Sequence, residues 1–283
     1  MKREYDDAIE EHYRGVAMDC GLSGTSTMAD EMTRTIETNA IIQFVDTCIT
    51  QRQSSNSPVT EMTLLDVGCG NGLTLETIQK SFPELNLNGL EKSSELRELA
   101  LSRFSGNGNV RIIAGDVRDD NFFEHNSVDI LICQRVLINL LNIDDQLMAL
   151  QNITNTLRRS APHETLGKAV FIEAFQKPMG ILNEARDELG LDPIPPANHN
   201  LYLPEDFFDG AALERLESEW ELPPKNFLST HYFVTRVLHS FATRDQTFKR
   251  NSLFSQFFSG ALKPFVGDFS PLRYCTFSRI AND

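Results

Sequence analysis

The chain has one tryptophan and five cysteines among its 283 residues. It also lacks any uninterrupted apolar stretch approaching the ~18 residues that a membrane-spanning helix requires. Cys20, Cys48, Cys69, Cys133 and Cys275 are scattered without C-x-x-C spacing, and the six histidines form no cluster at metal-ligand spacing. Neither a disulfide framework nor a metal site is expected. The opening MKREYDDAIEEHYR is charged and periodic rather than basic and then apolar. No signal peptide and no transmembrane helix are read from it, and a reducing cytoplasm is the expected compartment. Positive charge is scarce: 26 Lys and Arg face 40 Asp and Glu, a formal net charge of −14. Such a surface repels a phosphate backbone and an anionic bilayer, so neither nucleic acid nor membrane is expected as a partner.

An apolar content of 41% suffices for one sizeable core, or a core with an appendage. Residues 1 to about 52 read as helical, because Ile36, Ala40, Ile41, Phe44, Val45 and Cys48 recur at three- and four-residue steps. The polar stretch 51–61, with Pro58, reads as a connector. Short apolar runs then recur at 63–67, 85–90, 110–114, 128–133 and 168–175. Helix-like intervals at 73–81, 94–104 (capped by Ser93) and 144–158 lie among them, the βαβ pattern of a parallel sheet.

Prolines and glycines crowd 176–204 around the run ILNEARDELG, which reads as a cap inserted after the fifth strand. A helix over 205–219, a β-rich run over 227–238 and a final strand over 272–280 are expected to complete the fold. The Phe-rich interval 240–270 is expected to be partly helical, a lid or a dimer contact, although core packing explains Phe254, Phe257 and Phe258 equally well.

The stretch LLDVGCGNG, residues 64–72, is an apolar strand that ends in Asp66, then Gly68, Gly70 and Gly72 before a helix start. Glycines there permit a tight turn and close approach of a ligand to backbone N–H groups. The spacing is G-x-G-x-G, without G-x-G-x-x-G or G-K-[ST], which disfavours dinucleotide and Walker-type phosphate sites.

These residues resemble the class I S-adenosylmethionine-dependent methyltransferases over roughly residues 60–175. The resemblance implies an α/β fold with a doubly wound, seven-stranded, mostly parallel sheet, N-terminal helices over 1–55 as a lid, and a cofactor domain over 56–283. It implies S-adenosylmethionine as cofactor, with Glu91 on the ribose hydroxyls, Asp116 on the adenine amino group with Val117 beside the ring, and Gln134 and Arg135 at the methionine end. Asp66, Gly68, Cys69, Gly70, Asn71, Gly72 and Lys92 join that cofactor set. The chemistry suits the residue types, since a carboxylate accepts from paired hydroxyls or an exocyclic amine, and acids and carbonyl oxygens suit a sulfonium.

The expected acceptor is a small molecule or sugar, methylated at oxygen, with an amine nitrogen as rival; a non-catalytic cofactor-binding subunit is the alternative of another class. His199, His231 and Glu173 are the candidates for a general base. Arg186, Asn183, Asn139, Asn200 and Tyr202 are the candidates to hold the acceptor, although an ion pair for Arg186 and core packing for Tyr202 compete with those roles.

Overall fold

Five short apolar runs become five parallel strands; the central ones are buried on both faces, which removes the need for a polar alternation, while the run at 110–114 is half-exposed at the sheet edge. The computed structural model describes residues 3–24, 28–55, 57–106, 108–159, 166–216, 220–243 and 251–280. The strands are β1 (Thr63–Val67), β2 (Asn86–Glu91), β3 (Val110–Ala114), β4 (Ile130–Gln134) and β5 (Lys168–Ala174). Two more, β6 (Leu213–Arg215) and β7 (Leu272–Arg279), complete one sheet in the order β3-β2-β1-β4-β5-β7-β6. The first five pair in parallel, and β7 runs antiparallel to both β5 and β6.

The helices follow from local signals. After α1 (Asp6–Cys20), α2 (Glu31–Ser54) starts where the Asp30 side chain accepts the Thr33 N–H, and it packs Ile41, Phe44 and Val45 into the core. Beyond β1 comes α3 (Leu73–Ser81); Ser93 caps α4 (Ser94–Arg103) and Asn142 caps α5 (Ile143–Thr156). Directly after β5, α6 (Gln176–Asp187) carries Pro178 in its first turn, where no intrahelical N–H is missed. The cap thus contains a longer helix than the run ILNEARDELG indicates.

Two expectations are corrected. Residues 227–238 are not β-rich but form α7 (Ser229–Phe233) and a π-helical segment (Val234–Leu238), followed by α8 (His239–Ala242). Leu228, Tyr232, Thr235 and His239 are buried at four-, three- and four-residue steps, a helical stripe hidden by its polar members. Residues 205–219 do not form a helix: turns at 205–210 lead through Gly210, at φ 85°, into β6, and 217–219 lie outside the described residues. The adjacent Phe207 and Phe208 are both buried, which neighbours on a one-sided helix are poorly placed to achieve. Their rings pack edge to face, and Phe208 also meets Phe171, Phe175 and Phe277.

In the Phe-rich interval, α9 (Leu253–Ala261) is helical as expected, with Phe254 against Phe258 and Phe257 in solvent; 244–250 lie outside the described residues. No helix among the described residues is long and apolar enough to cross a membrane.

Phe208 ties the 205–210 turn to the sheet. Phe208→Ala is expected to cost about 3–5 kcal/mol, read as a lowered midpoint in denaturant unfolding with an unchanged slope.

Candidate functional site

The strand order reverses between β1 and β4, and the turns leaving the carboxyl ends of β1 to β4 converge there. The first turn needs its glycines: φ is 69° at Gly68, 57° at Gly70 and 79° at Gly72. A Cβ at Gly68 would strike the Val136 side chain, and one at Gly72 would lie 2.8 Å from the Phe104 ring. The N–H groups of Gly68 and Cys69 donate to the Leu90 carbonyl at 2.8 and 3.0 Å. Gly70 N–H donates to one Glu91 carboxylate oxygen at 2.9 Å, and Ser93 N–H to the other at 2.8 Å. Glu91 thereby joins the turn after β1 to the turn after β2.

Above these turns lies a cavity of about 500 Å³. It is lined by Asp66, Gly68, Cys69, Gly70, Asn71, Glu91, Lys92, Asp116, Val117, Gln134 and Arg135, and by Asn139, His199 and Asn200. Gly72 is the one member of the expected cofactor set that does not line it, and serves instead to bring α3 against α4. The cavity is roofed by one face of α1, Tyr5 and Asp6 from its start and then Ile9, His12, Tyr13 and Val16, and by Ala197 of the cap.

The electrostatics of the floor are unusual. Asp66 is buried with no hydrogen-bond partner among the described residues, and burial, together with the nearby Glu91, pushes it up to about 8. Burial also raises Glu91, against the opposing pull of its two N–H donors and Arg97. Asp116 differs: burial would raise it, but Arg118 and Lys92 outweigh that and hold it at about 2. Arg118 donates to both of its oxygens, and the Lys92 ammonium stands 3.3 Å away. The adenine amino group expected at Asp116 would therefore share an acceptor already committed to two cations.

Arg118 and Lys92 also bind Asp6, at 3.0 and 3.1 Å, which pins α1 across the mouth. Arg3 and Tyr5 add bonds to the buried Asp145. The Asn71 amide donates to the Gly21 and Ser23 carbonyls, fixing the end of α1 over the glycine turn.

Directly after β4, Arg135 has a left-handed backbone, φ 57°, that side chains seldom adopt. Its guanidinium is paired to the fully buried Glu37 at 2.5 Å. Arg34 lines the same cavity; burial and the neighbouring Arg135 lower it to about 10, while Glu37 opposes them. The Asn139 amide donates to the Tyr13 hydroxyl and to the Arg135 carbonyl. Opposite stand His12 and His199, stacked with centroids 3.9 Å apart and planes 19° from parallel.

Five expected site residues stand elsewhere and are corrected. Glu173 is fully buried and accepts the N–H groups of Val136, Leu137 and Ile138 at 2.9, 3.1 and 3.3 Å; burial pushes it up to about 7 against those donors. It holds the turn after β4 rather than facing a ligand. His231 lies on α7, outside this cavity, between Asp30 and Ser259. Arg186 donates to the carbonyls of Asp192 and Arg236, and Asn183 exchanges two hydrogen bonds with the backbone of Ile194, so both knit the cap to its surroundings. Tyr202 is partly buried against the core.

Tyr5, Asp6, His12, Tyr13, Arg34 and Arg118 were missed. The α1 residues carried a signal in the three- and four-residue spacing of Ile9, Tyr13 and Val16; Arg34 and Arg118 carried none.

Residues 64–160 match the family described as methyltransferase domain. Over 54 residues the chain is 35% identical to the malonyl-[acyl-carrier protein] O-methyltransferase of Halalkalibacterium halodurans, matching 19% of this chain and 20% of that protein. The chain thus spans about a fifth of the length of this curated relative. A chain of the Haloferax volcanii complex between the Trm112 methyltransferase activator and a methyltransferase superimposes with a TM-score of 0.52 at 13% identity, covering 100% of both chains. The N-methyltransferase NodS of Bradyrhizobium japonicum, solved with S-adenosyl-L-homocysteine, gives 0.49 at 16% identity over 72% of this chain and 87% of its own.

The sheet order is that of the class I methyltransferase-like fold, and the cofactor that the resemblance implies is S-adenosylmethionine. The cavity fits that group in volume, within the ~300–1,000 Å³ usual for such ligands, and in donor chemistry. Asp66 and Glu91 among its lining residues suit a sulfonium and paired hydroxyls, and Arg34 suits a carboxylate.

Because Asp66 is raised in the folded protein, the folded state holds a proton that the unfolded chain has lost above about 3.9. Stability of the ligand-free protein therefore falls as pH rises between that value and about 8. Asp66→Asn is expected to flatten this slope and raise the ligand-free Tm at pH 7.5. Calorimetry should find S-adenosylmethionine binding tightening with pH toward 8 in the wild type and not in Asp66→Asn, with a smaller change for the uncharged thioether product.

Proposed function

We propose that the protein transfers a methyl group from S-adenosylmethionine to a small-molecule acceptor, at a hydroxyl oxygen such as that of a sugar or secondary metabolite. The observation that carries the reading is the stacked pair His12 and His199, which closes the cavity opposite the strand-end turns. A hydroxyl keeps its proton at neutral pH, so a base must stand beside it. Burial lowers both imidazoles, and His12 lowers His199 further, so both are neutral at pH 7 and able to accept a proton.

The bound cofactor supplies an electrophilic methyl group. Asp66 and Glu91 would hold its cationic and ribose portions, and Arg34 its carboxylate. Asn139, Asn200 and Tyr13 offer the acceptor polar partners, and the buried Asn200 Oδ1 has none among the described residues. In this reading α1, within the N-terminal 1–55 segment, is a lid: it excludes water, and it must release Asp6 from Arg118 and Lys92 before a ligand enters. All five cysteines are free thiols, which suits a reducing cytoplasm.

Titration calorimetry should detect saturable binding of both S-adenosylmethionine and S-adenosylhomocysteine. With a panel of hydroxyl and amine acceptors, S-adenosylhomocysteine release is expected, and His199→Ala should lower kcat by roughly 10²–10⁴ while leaving the cofactor Kd unchanged. Binding without release on any acceptor would reduce the protein to a cofactor-binding subunit. Turnover on amines alone, untouched by His199→Ala, would move the methyl group to nitrogen.

A further inference from the structure

Outside the cofactor cavity, one group of side chains has the connectivity of a nucleophile, its base and the group that orients the base. The His231 Nε2 stands 3.0 and 3.1 Å from the two carboxylate oxygens of Asp30, and its Nδ1 stands 2.8 Å from Ser259 Oγ. Asp30 is buried and also accepts from the Thr33 N–H at 3.0 Å and the Arg236 guanidinium at 2.6 Å. These donors, with His231, outweigh the effect of burial and keep it ionised.

The ionised carboxylate fixes the tautomer: Nε2 carries the proton toward Asp30, and Nδ1 is left as an acceptor for the Ser259 hydroxyl. The two ring nitrogens are exchanged relative to the familiar serine hydrolase arrangement, but each group keeps its role, and roles rather than positions define such a triad.

The three residues come from distant parts of the chain: Asp30 caps α2, His231 sits on α7 and Ser259 on α9. His231 and Ser259 both line a second cavity, of about 230 Å³, that shares no lining residue with the first. Its walls are mostly apolar, with Ile36, Ala40, Phe227 and Phe265, and Asn39 is the side-chain amide beside them that has no partner among the described residues.

We propose that Ser259, His231 and Asp30 form a second catalytic site that hydrolyses esters of short, apolar acyl groups. Ser259 Oγ bonds to the acyl carbon while its proton passes to His231 Nδ1. The Asn39 amide faces the developing oxyanion, and Asp30 holds the imidazolium. The ester C–O bond then breaks, and the leaving alkoxide takes the proton from Nδ1. Water repeats the sequence on the acyl-serine: its proton goes to Nδ1 and its oxygen to the acyl carbon, then the bond from that carbon to Oγ breaks, Nδ1 returns the proton to Ser259 Oγ, and the acid departs. This reaction uses neither the cofactor nor any residue of the first cavity.

The test uses the full chain with p-nitrophenyl acetate and butyrate, and a fluorophosphonate probe followed by peptide mass mapping. Wild type should hydrolyse both esters and carry the probe on Ser259. Ser259→Ala, a change small enough to keep the fold, should lose the label and at least ~100-fold of the hydrolysis rate. Ser94→Ala, an exposed serine on α4, should retain both. No label on wild-type Ser259, label on another residue, or equal hydrolysis by wild type and Ser259→Ala overturns the proposal. None of these results bears on methyl transfer, which is read by S-adenosylhomocysteine release.

Discussion

One carboxylate joins the two turns on which the cofactor cavity rests. Glu91 accepts the Gly70 N–H with one oxygen and the Ser93 N–H with the other, so the glycine turn after β1 and the cap of α4 are set by a single side chain. Both donors would otherwise be orphans at the edge of a cavity, and leaving each unmet costs about 1–3 kcal/mol. Glu173 does the same one turn further along the sheet, collecting three N–H groups after β4. Two buried carboxylates thus replace the backbone pairing that the chain gives up where it leaves the sheet.

This arrangement explains the electrostatic asymmetry of the floor. Glu91 has its charge spread over two N–H dipoles, whereas Asp66, on the paired strand β1, has none and is raised the further for having Glu91 as a neighbour. The cavity therefore holds an acid whose ionisation is costly until a cation arrives. Asp116 is the converse case: Arg118 and Lys92 already satisfy it, and through Asp6 they extend that satisfaction to α1. Asp66 and Asp116 are thus set up for different purposes, one open to a cation and the other holding the roof.

The first half of the fold was legible because buried parallel strands announce themselves as apolar runs. The five runs from Thr63 to Phe175 became β1 to β5 with ends shifted by at most two residues. Legibility failed where burial is polar. His231, Thr235 and His239 form part of a helical stripe inside the protein, paired to Asp30, to a backbone carbonyl and to an aromatic ring. A periodicity count that treats them as surface residues is left with the apolar Phe227, Leu228, Tyr232, Phe233, Val234, Val237 and Leu238, and reads a strand. Phe207 and Phe208 misled in the other direction: two adjacent rings suggested nothing, yet they anchor an irregular segment. For the site, the glycine motif and the strand-end acids could be placed because the sheet dictates where strand ends lie. The roof could not, since Tyr5, His12 and Arg34 reach the cavity from helices whose packing no local pattern specifies.

The same limit explains why His231 was selected for the wrong cavity. A histidine flanked by Thr230 and Tyr232 in an apolar run is chemically conspicuous, and an imidazole is what a hydroxyl methylation needs. Selecting it by residue type finds a base without finding what the base serves. That question is decided by the ring's second nitrogen and by the cavity it opens on: His199 stacks on His12 above the strand ends, while His231 stands between an acid and a serine some distance along the chain from either. Two imidazoles of similar promise in the sequence are separated by the fold into different cavities, α2 contributing Arg34 to one and Ile36, Asn39 and Ala40 to the other.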